Sequence, residues 1–255
     1  MSLSGAEISD FNTKGHVTVN DVLSLQKVEA LLADIDRWSA EVLAGMKESD
    51  REWYLDRSVG QGDGAEKGAV LRKLDDPVFF RPAFRALASD PKLVAMVESV
   101  IGPGLSVAFS QVFMKPGRGG GPKPLHQDNF YFGPTHLDGM LSAWVALDDA
   151  DEGNGCLLFA EGSHREPVHQ HAAPEDEPFN LQLSDEIVAR YPLTAAPVGR
   201  GGVSFHHGNV YHSSSQNTSD RPRREVALHY VNGETRFDTP AWSFDSAHVV
   251  PISQG

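Results

Sequence analysis

The texture of the chain changes at Leu105, and this change constrains the fold more than any other sequence feature. Upstream, Leu25, Val28, Leu31, Leu32, Ile35, Trp38 and Val42 recur at spacings of three and four, which predicts one apolar helix face beginning near Ser24. Asp90 as N-cap, Pro91 at the first helical position and the stop at Gly102-Pro103 predict a second helix. Gly15-His16-Val17-Thr18-Val19 reads as a short strand, and the stretch 60–69, with its four glycines, as a mobile loop. Downstream the apolar runs shorten to 105–114, 141–147, 156–159, 203–205 and 225–231, separated by Gly, Pro, Asn and Asp. Alternation within them, as in Leu141-Ser142-Ala143-Trp144-Val145-Ala146-Leu147, is the two-residue period of half-buried strands. Many short strands with turn signals predict a mainly β chain, a double-sheet jelly roll with an N-terminal helical layer packed on one sheet. Longer loops are expected at 116–124 and 165–185. The expected organisation is one domain over 1–255: a helical part to about 104, a jelly-roll core over about 105–232 and a C-terminal extension from 233.

Charge and composition narrow the function. The 255 residues carry a net charge of −13, which opposes binding to a nucleic-acid backbone. No run approaches the roughly 18 apolar residues of a membrane helix, and the start lacks the basic and apolar regions of a signal peptide. A single cysteine forms no internal disulfide. The expectation is a cytoplasmic protein acting on a small molecule, without nucleic-acid or membrane partners.

The chemistry lies in the histidines. His126-Gln127-Asp128 is a His-x-Asp, and in an extended segment residues i and i+2 point to one side. An imidazole and a carboxylate on one point are two members of the two-histidine, one-carboxylate set that binds non-haem Fe(II). Zinc accepts the same set. A third ligand must come from elsewhere, and His206, His207 and His212 are candidates. An arginine-bearing strand follows, with Arg221, Arg223 and Arg224. An arginine pointing into an apolar barrel is costly unless it meets an anion, and its planar fork suits a carboxylate. Alternation places Arg223 on the same face as Glu225 and Ala227, so a bulge after Pro222 is expected to aim it inward.

The ordered set His126-Gln127-Asp128, Trp144, Asn154-Gly155-Cys156-Leu157, Gly162-Ser163-His164, then His212, Ser214, Asn217 and Arg223, resembles the phytanoyl-CoA dioxygenase family. Most of the chain takes part, including an opening Ile8-Ser9-Asp10-Phe11 similar to the family's helical entry. The resemblance implies a double-stranded β-helix of the cupin type and a dioxygenase dependent on Fe(II) and 2-oxoglutarate. Such an enzyme uses O2 to hydroxylate a C–H bond and releases succinate and CO2. His126, Asp128 and His212 match the iron ligands, Arg223 the anchor of the distal 2-oxoglutarate carboxylate, and Ser214 a hydroxyl assisting it. Trp144 matches an aromatic wall of that pocket, while Gln111 and Lys73 sit where the family places further co-substrate contacts. One departure is Glu161 before Gly162, where the family more often has proline. Related halogenases lack the carboxylate, so Asp128 implies oxygenation instead of halogenation. The alternative is a zinc-type cupin, a hydrolase or isomerase, which has no need of the Arg223–Ser214–Trp144 pocket. Position alone suggests Asn129, Phe130, Tyr131 and Trp242 on the substrate side, and the loop charges Arg118 and Lys123 are too few for a CoA phosphate.

Overall fold

Strand alternation sorts the downstream half into two facing antiparallel sheets, seen in a computed structural model describing residues 2–56, 70–175, 180–238, 240–241 and 245–254. The glycine-rich stretch 60–69 and Trp242 lie outside the described residues. The strands are β1 (His16–Val19), β2 (Lys73–Asp75), β3 (Ser106–Lys115), β4 (Lys123–His126), β5 (Met140–Ala146), β6 (Leu157–Phe159), β7 (Thr194–Ala196), β8 (Val203–His207), β9 (His212–Ser214), β10 (Arg223–Val231) and β11 (Val250–Pro251). The larger sheet runs β1-β8-β5-β10-β3-β11 with β2 on β3, and the smaller runs β4-β9-β6-β7. From β3 to β10 the chain alternates between the sheets except at the β6–β7 hairpin, which is the jelly-roll winding.

The α-helices of the described residues are α1 (Gly5–Lys14), α2 (Leu25–Gly45), α3 (Glu48–Tyr54), α4 (Pro77–Phe80), α5 (Pro82–Ala88), α6 (Pro91–Ile101), α7 (Asp128–Phe132) and α8 (Asp185–Val188). Their punctuation is that expected. The Ser24 side chain accepts from the Lys27 amide at the start of α2, and Asp90 accepts from the Lys92 amide ahead of α6. Gly102 ends α6 with φ +85°, a left-handed angle that a side chain disfavours. No described helix is long and apolar enough to cross a membrane.

Along β10 the even positions Val226, Leu228 and Tyr230 face outward and join Val28, Ile35, Phe84, Leu93 and Val97 in the core beneath the helices. The odd positions Arg223, Glu225, Ala227 and His229 face inward and line a cavity between the sheets. The expected bulge at Pro222 is not needed. Register against β3 runs unbroken from Arg223 to His229, and the shift falls between His229 and Tyr230. Arg223 simply shares the inner face with Glu225 and Ala227, as alternation places it.

The helical layer rests on large buried side chains. Leu93→Ala is expected to cost about 2–5 kcal/mol in urea denaturation, while Leu25→Ala, on the exposed side of α2, stays within about 0.5 kcal/mol. Equal losses would contradict this placement of the core.

Candidate active site

Gln127 keeps an extended backbone between β4 and α7, so His126 and Asp128 project to the same side at a strand-to-helix junction. His212 opens β9 and pairs with His126 across the smaller sheet. One nitrogen or oxygen from each of His126, Asp128 and His212 lies within 4.8 Å of the others, and all three residues are buried. The Oδ1 of Asp128 stands 3.7 Å from both imidazole Nε2 atoms. The histidine protons are set by backbone carbonyls, which can only accept. His126 Nδ1 donates to Pro124 O at 2.8 Å and His212 Nδ1 donates to Val210 O at 3.1 Å. Each ring therefore turns an unprotonated Nε2 toward the shared point, as metal-bound histidines do. Burial, and then His212, holds the His126 pKa well below the usual value.

The other oxygen of Asp128 is held by the larger sheet. His206, Ser142, His229 and Phe109 are register partners across β8, β5, β10 and β3. Ser142 Oγ donates to Asp128 Oδ2 at 2.6 Å and lies 2.8 Å from His229 Nδ1, while His206 Nε2 stands 3.3 Å from the same oxygen. A hydroxyl that donates to a carboxylate must accept from its second neighbour, so His229 carries its proton on Nδ1. Burial alone would raise the Asp128 pKa, but His212, His229 and His206 together bring it well below the usual range. Ser142 and His229 had no signal beyond inward parity on their strands. His206 was visible only as an alternative ligand; it lies outside the three-residue set and braces Asp128 instead. His207 pairs with Asp138 and His164 bonds Asn12 O, so neither belongs to the cluster.

The cavity, about 620 Å³, runs from this cluster to Arg223. The Arg223 guanidinium lies over the Trp144 ring, 5.3 Å from its centroid, and 3.6 Å from Glu225. Its Nε and Nη1, and the Oε2 of Glu225, are buried without a hydrogen-bond partner. Lys115, opposite Arg223 on β3, donates to Ser214 Oγ at 2.9 Å and to Ser215 O. Burial, with Arg223 adding to it, pulls Lys115 down to about 6, and burial pushes Glu225 up to about 8 against the pull of Arg223. Two glycines permit this packing: a Cβ on Gly120 (φ +68°) would land on Lys115, and one on Gly155 (φ +85°) on Ser215 O. Asn217, fully buried, donates to Pro116 O and Arg221 O and so shapes the turn that delivers Arg223. Arg221 and Arg224 face away, paired with Asp151 and Asp148.

Gln111 and Lys73 both line the cavity and meet at Asp75, which accepts from Gln111 Nε2 at 2.6 Å and stands 3.2 Å from Lys73 Nζ. Tyr131 lines it as well, but Asn129 and Phe130 do not. Helical spacing is the reason: α7 turns Asp128, Tyr131 and Phe132 to the cavity at i, i+3 and i+4, leaving Asn129 under Gly208 and Phe130 stacked on His171. Asn129 and Phe130, expected on the substrate side, therefore do not line this cavity.

Lys123, at the end of the smaller sheet, was read only as a loop charge. Its Nζ donates to the Tyr131 hydroxyl at 3.0 Å, and the Tyr131 ring stands edge-on to His126 at 5.7 Å. Burial, followed by the charges of Arg72 and Lys73, pulls Lys123 down to about 7. The cavity is therefore basic: Arg72, Lys73, Lys115, Lys123 and Arg223 outnumber the carboxylates Asp56, Asp128 and Glu225 along its wall.

The donor set fits a divalent metal such as Fe(II), and the two unpartnered nitrogens of Arg223 fit a carboxylate bound at the far end of the same cavity.

Phytanoyl-CoA dioxygenase domain-containing protein 1 of Mus musculus is 35% identical over 155 residues, covering 59% of this chain and 53% of that protein. The chain thus spans about half the length of the first curated relatives it matches. A probable alpha-ketoglutarate-dependent hypophosphite dioxygenase of Stutzerimonas stutzeri is 25% identical over 228 residues, 87% of this chain and 76% of that one. Among solved structures, the non-heme alpha ketoglutarate dependent epimerase SnoN from nogalamycin biosynthesis superposes with a TM-score of 0.70 at 26% identity, covering 94% of this chain and 87% of the other. The family model for phytanoyl-CoA dioxygenase (PhyH) matches residues 11–225. That match covers most of the chain, from within α1 to the start of β10, and takes in His126, Asp128, His212 and Arg223; the chain belongs to the phytanoyl-CoA dioxygenase family.

Proposed function

We propose that this protein is an Fe(II)- and 2-oxoglutarate-dependent dioxygenase that hydroxylates a C–H bond of a small molecule, with succinate and CO2 as co-products. One observation carries the reading. The buried His126–Asp128–His212 cluster and the Arg223 guanidinium, two of whose nitrogens have no hydrogen-bond partner, face the same cavity. His126, Asp128 and His212 would hold a divalent metal, and Arg223 would take the carboxylate of a keto acid bound beside it. Bound there, the iron and the keto acid supply the oxidising chemistry.

The protein's own residues orient and enclose. His126, Asp128 and His212 hold the metal, and Ser142 with His206 keeps Asp128 turned so that one oxygen is free for it. Arg223 receives the distal carboxylate, Ser214 and Lys115 stand beside it, and Trp144 walls the pocket. Gln111 and Lys73, joined through Asp75, extend the same wall, and Tyr131 borders the substrate side. The zinc-type hydrolase or isomerase leaves Arg223 without a role, which disfavours it. We read the whole of 1–255 as one oxygenase domain, supported by the core that the helices and larger sheet share. The lone, buried Cys156 supports a cytoplasmic setting, and the cavity supports a small-molecule partner.

Three outcomes test this reading. Fe(II), 2-oxoglutarate and O2 together should yield succinate slowly even without the primary substrate, and omitting any one should stop it; succinate formation supported equally by zinc would refute it. Alanine at His126, Asp128 or His212 should abolish metal binding in calorimetry, Ser142→Ala should weaken it about 10–100-fold, and His207→Ala should leave it intact. The third concerns pH. Glu225, pushed up to about 8, gives up its proton between pH 7 and 9 and leaves a negative charge beside a dianion, so 2-oxoglutarate affinity should fall across that range. One proton limits the change to about tenfold per pH unit. Glu225→Gln should flatten the dependence, and affinity rising with pH would contradict it.

A further inference from the structure

The basic wall contains a group that the metal and the co-substrate anchor leave unused. Five basic side chains line one cavity of a chain whose net charge is −13, and they fall into two sets. Arg223 and Lys115 form the first, facing each other on β10 and β3 with Glu225 beside them. Lys123, Arg72 and Lys73 form the second. Lys123 begins β4, the end strand of the smaller sheet, while Lys73 begins β2, which hangs on the β3 edge of the larger sheet. These cations therefore face each other across the open edge of the sandwich.

Their partners differ. Lys73 has Asp75 as its counter-ion, and its ammonium lies over the Trp53 ring, 4.0 Å from the centroid. Arg72 Nε donates to Trp53 O. Lys123 has no carboxylate within ion-pair distance among the described residues; its hydrogen bond goes to the phenol of Tyr131, whose own proton is directed at Leu181 O. An ammonium withdrawn from water with a neutral partner is poorly satisfied unless an anion completes its shell. Tyr131 adds position: its ring stands against His126, so an anion on Lys123 lies next to the metal cluster and not at the Arg223 end.

We infer that Lys123, with Tyr131 beside it, is the anion subsite for the primary substrate, and that this substrate is a small organic oxyanion. This rests on the oxygenase reading above. A group held here places the bond to be oxidised only a few atoms from its negative charge. The aromatic rings of Trp53 and Phe132, which line the same cavity, suit the apolar remainder of the molecule.

Calorimetry on the full-length protein loaded with Mn(II) and saturating 2-oxoglutarate, where no turnover occurs, tests the inference with three probes of similar size. Butyrate and propylphosphonate carry the charge, and butyramide does not. The wild type should bind at least one anion ten or more times more tightly than the amide, and the better anion identifies the carboxylate or phosphonate source. Lys123→Met should lose that preference about tenfold while its 2-oxoglutarate affinity stays within threefold; Lys123→Arg should keep most of the preference. An amide that binds as well as the anions, or no anion binding up to 20 mM, overturns the subsite. So does a Lys123→Met protein that loses 2-oxoglutarate binding instead, since Lys123 would then be a co-substrate anchor. If Lys123→Met fails to fold, the wild-type preference and the Lys123→Arg result still decide. If the wild type does not bind 2-oxoglutarate, the oxygenase reading fails separately, and the anion–amide comparison proceeds on the metal-loaded protein.

Discussion

Asp128 joins the two sheets at one buried carboxylate. It sits just beyond the smaller sheet with one oxygen toward His126 and His212, and its other oxygen is gripped by a row of side chains from the larger sheet. Such a carboxylate is expensive to bury, and it stays ionised because imidazoles surround it. Everything else in the cavity follows from where that row falls. Register partners one step along, Trp144, Ala227 and Gln111, form the next band of wall, and the step after that brings Glu225 opposite Ala146 and Phe113. A slip of one residue in β10 would send Arg223 and His229 to the helices together.

Much of this was legible in the sequence, for physical reasons. The His-x-Asp pair works because Gln127 is extended, and the change of texture at Leu105 marks where helices give way to the jelly roll. The start and end of α6 followed from Asp90, Pro91 and Gly102. What alternation could not supply was partnership across sheets. Ser142, His206 and His229 are separated by 23 or more positions, except as neighbours in register, and nothing local says that they meet on Asp128. Position alone could not show that the chain turns into the short helix α7 at Asp128, which sends Tyr131 and Phe132 to the cavity and Asn129 and Phe130 away from it.

Charge shows the same limit. Composition reports an acidic protein, and the local loop shows only Arg118 and Lys123 near the first ligand. Folding places Arg72 and Lys73 across from Lys123, and Lys115 across from Arg223, so that an acidic chain encloses a basic cavity. An iron centre with a dianionic co-substrate is consistent with such a cavity, and burial strengthens each of these interactions relative to the exposed surface.

The central claim is that the cavity joins a three-ligand iron site to a keto-acid anchor. Adding Fe(II) and then 2-oxoglutarate to the metal-free protein without oxygen tests it most directly, by following the weak visible charge-transfer band of a chelated keto acid. The account predicts a band that saturates with 2-oxoglutarate in the wild type and requires far more of it when Arg223 is replaced by alanine. Iron that binds without giving the band would contradict it.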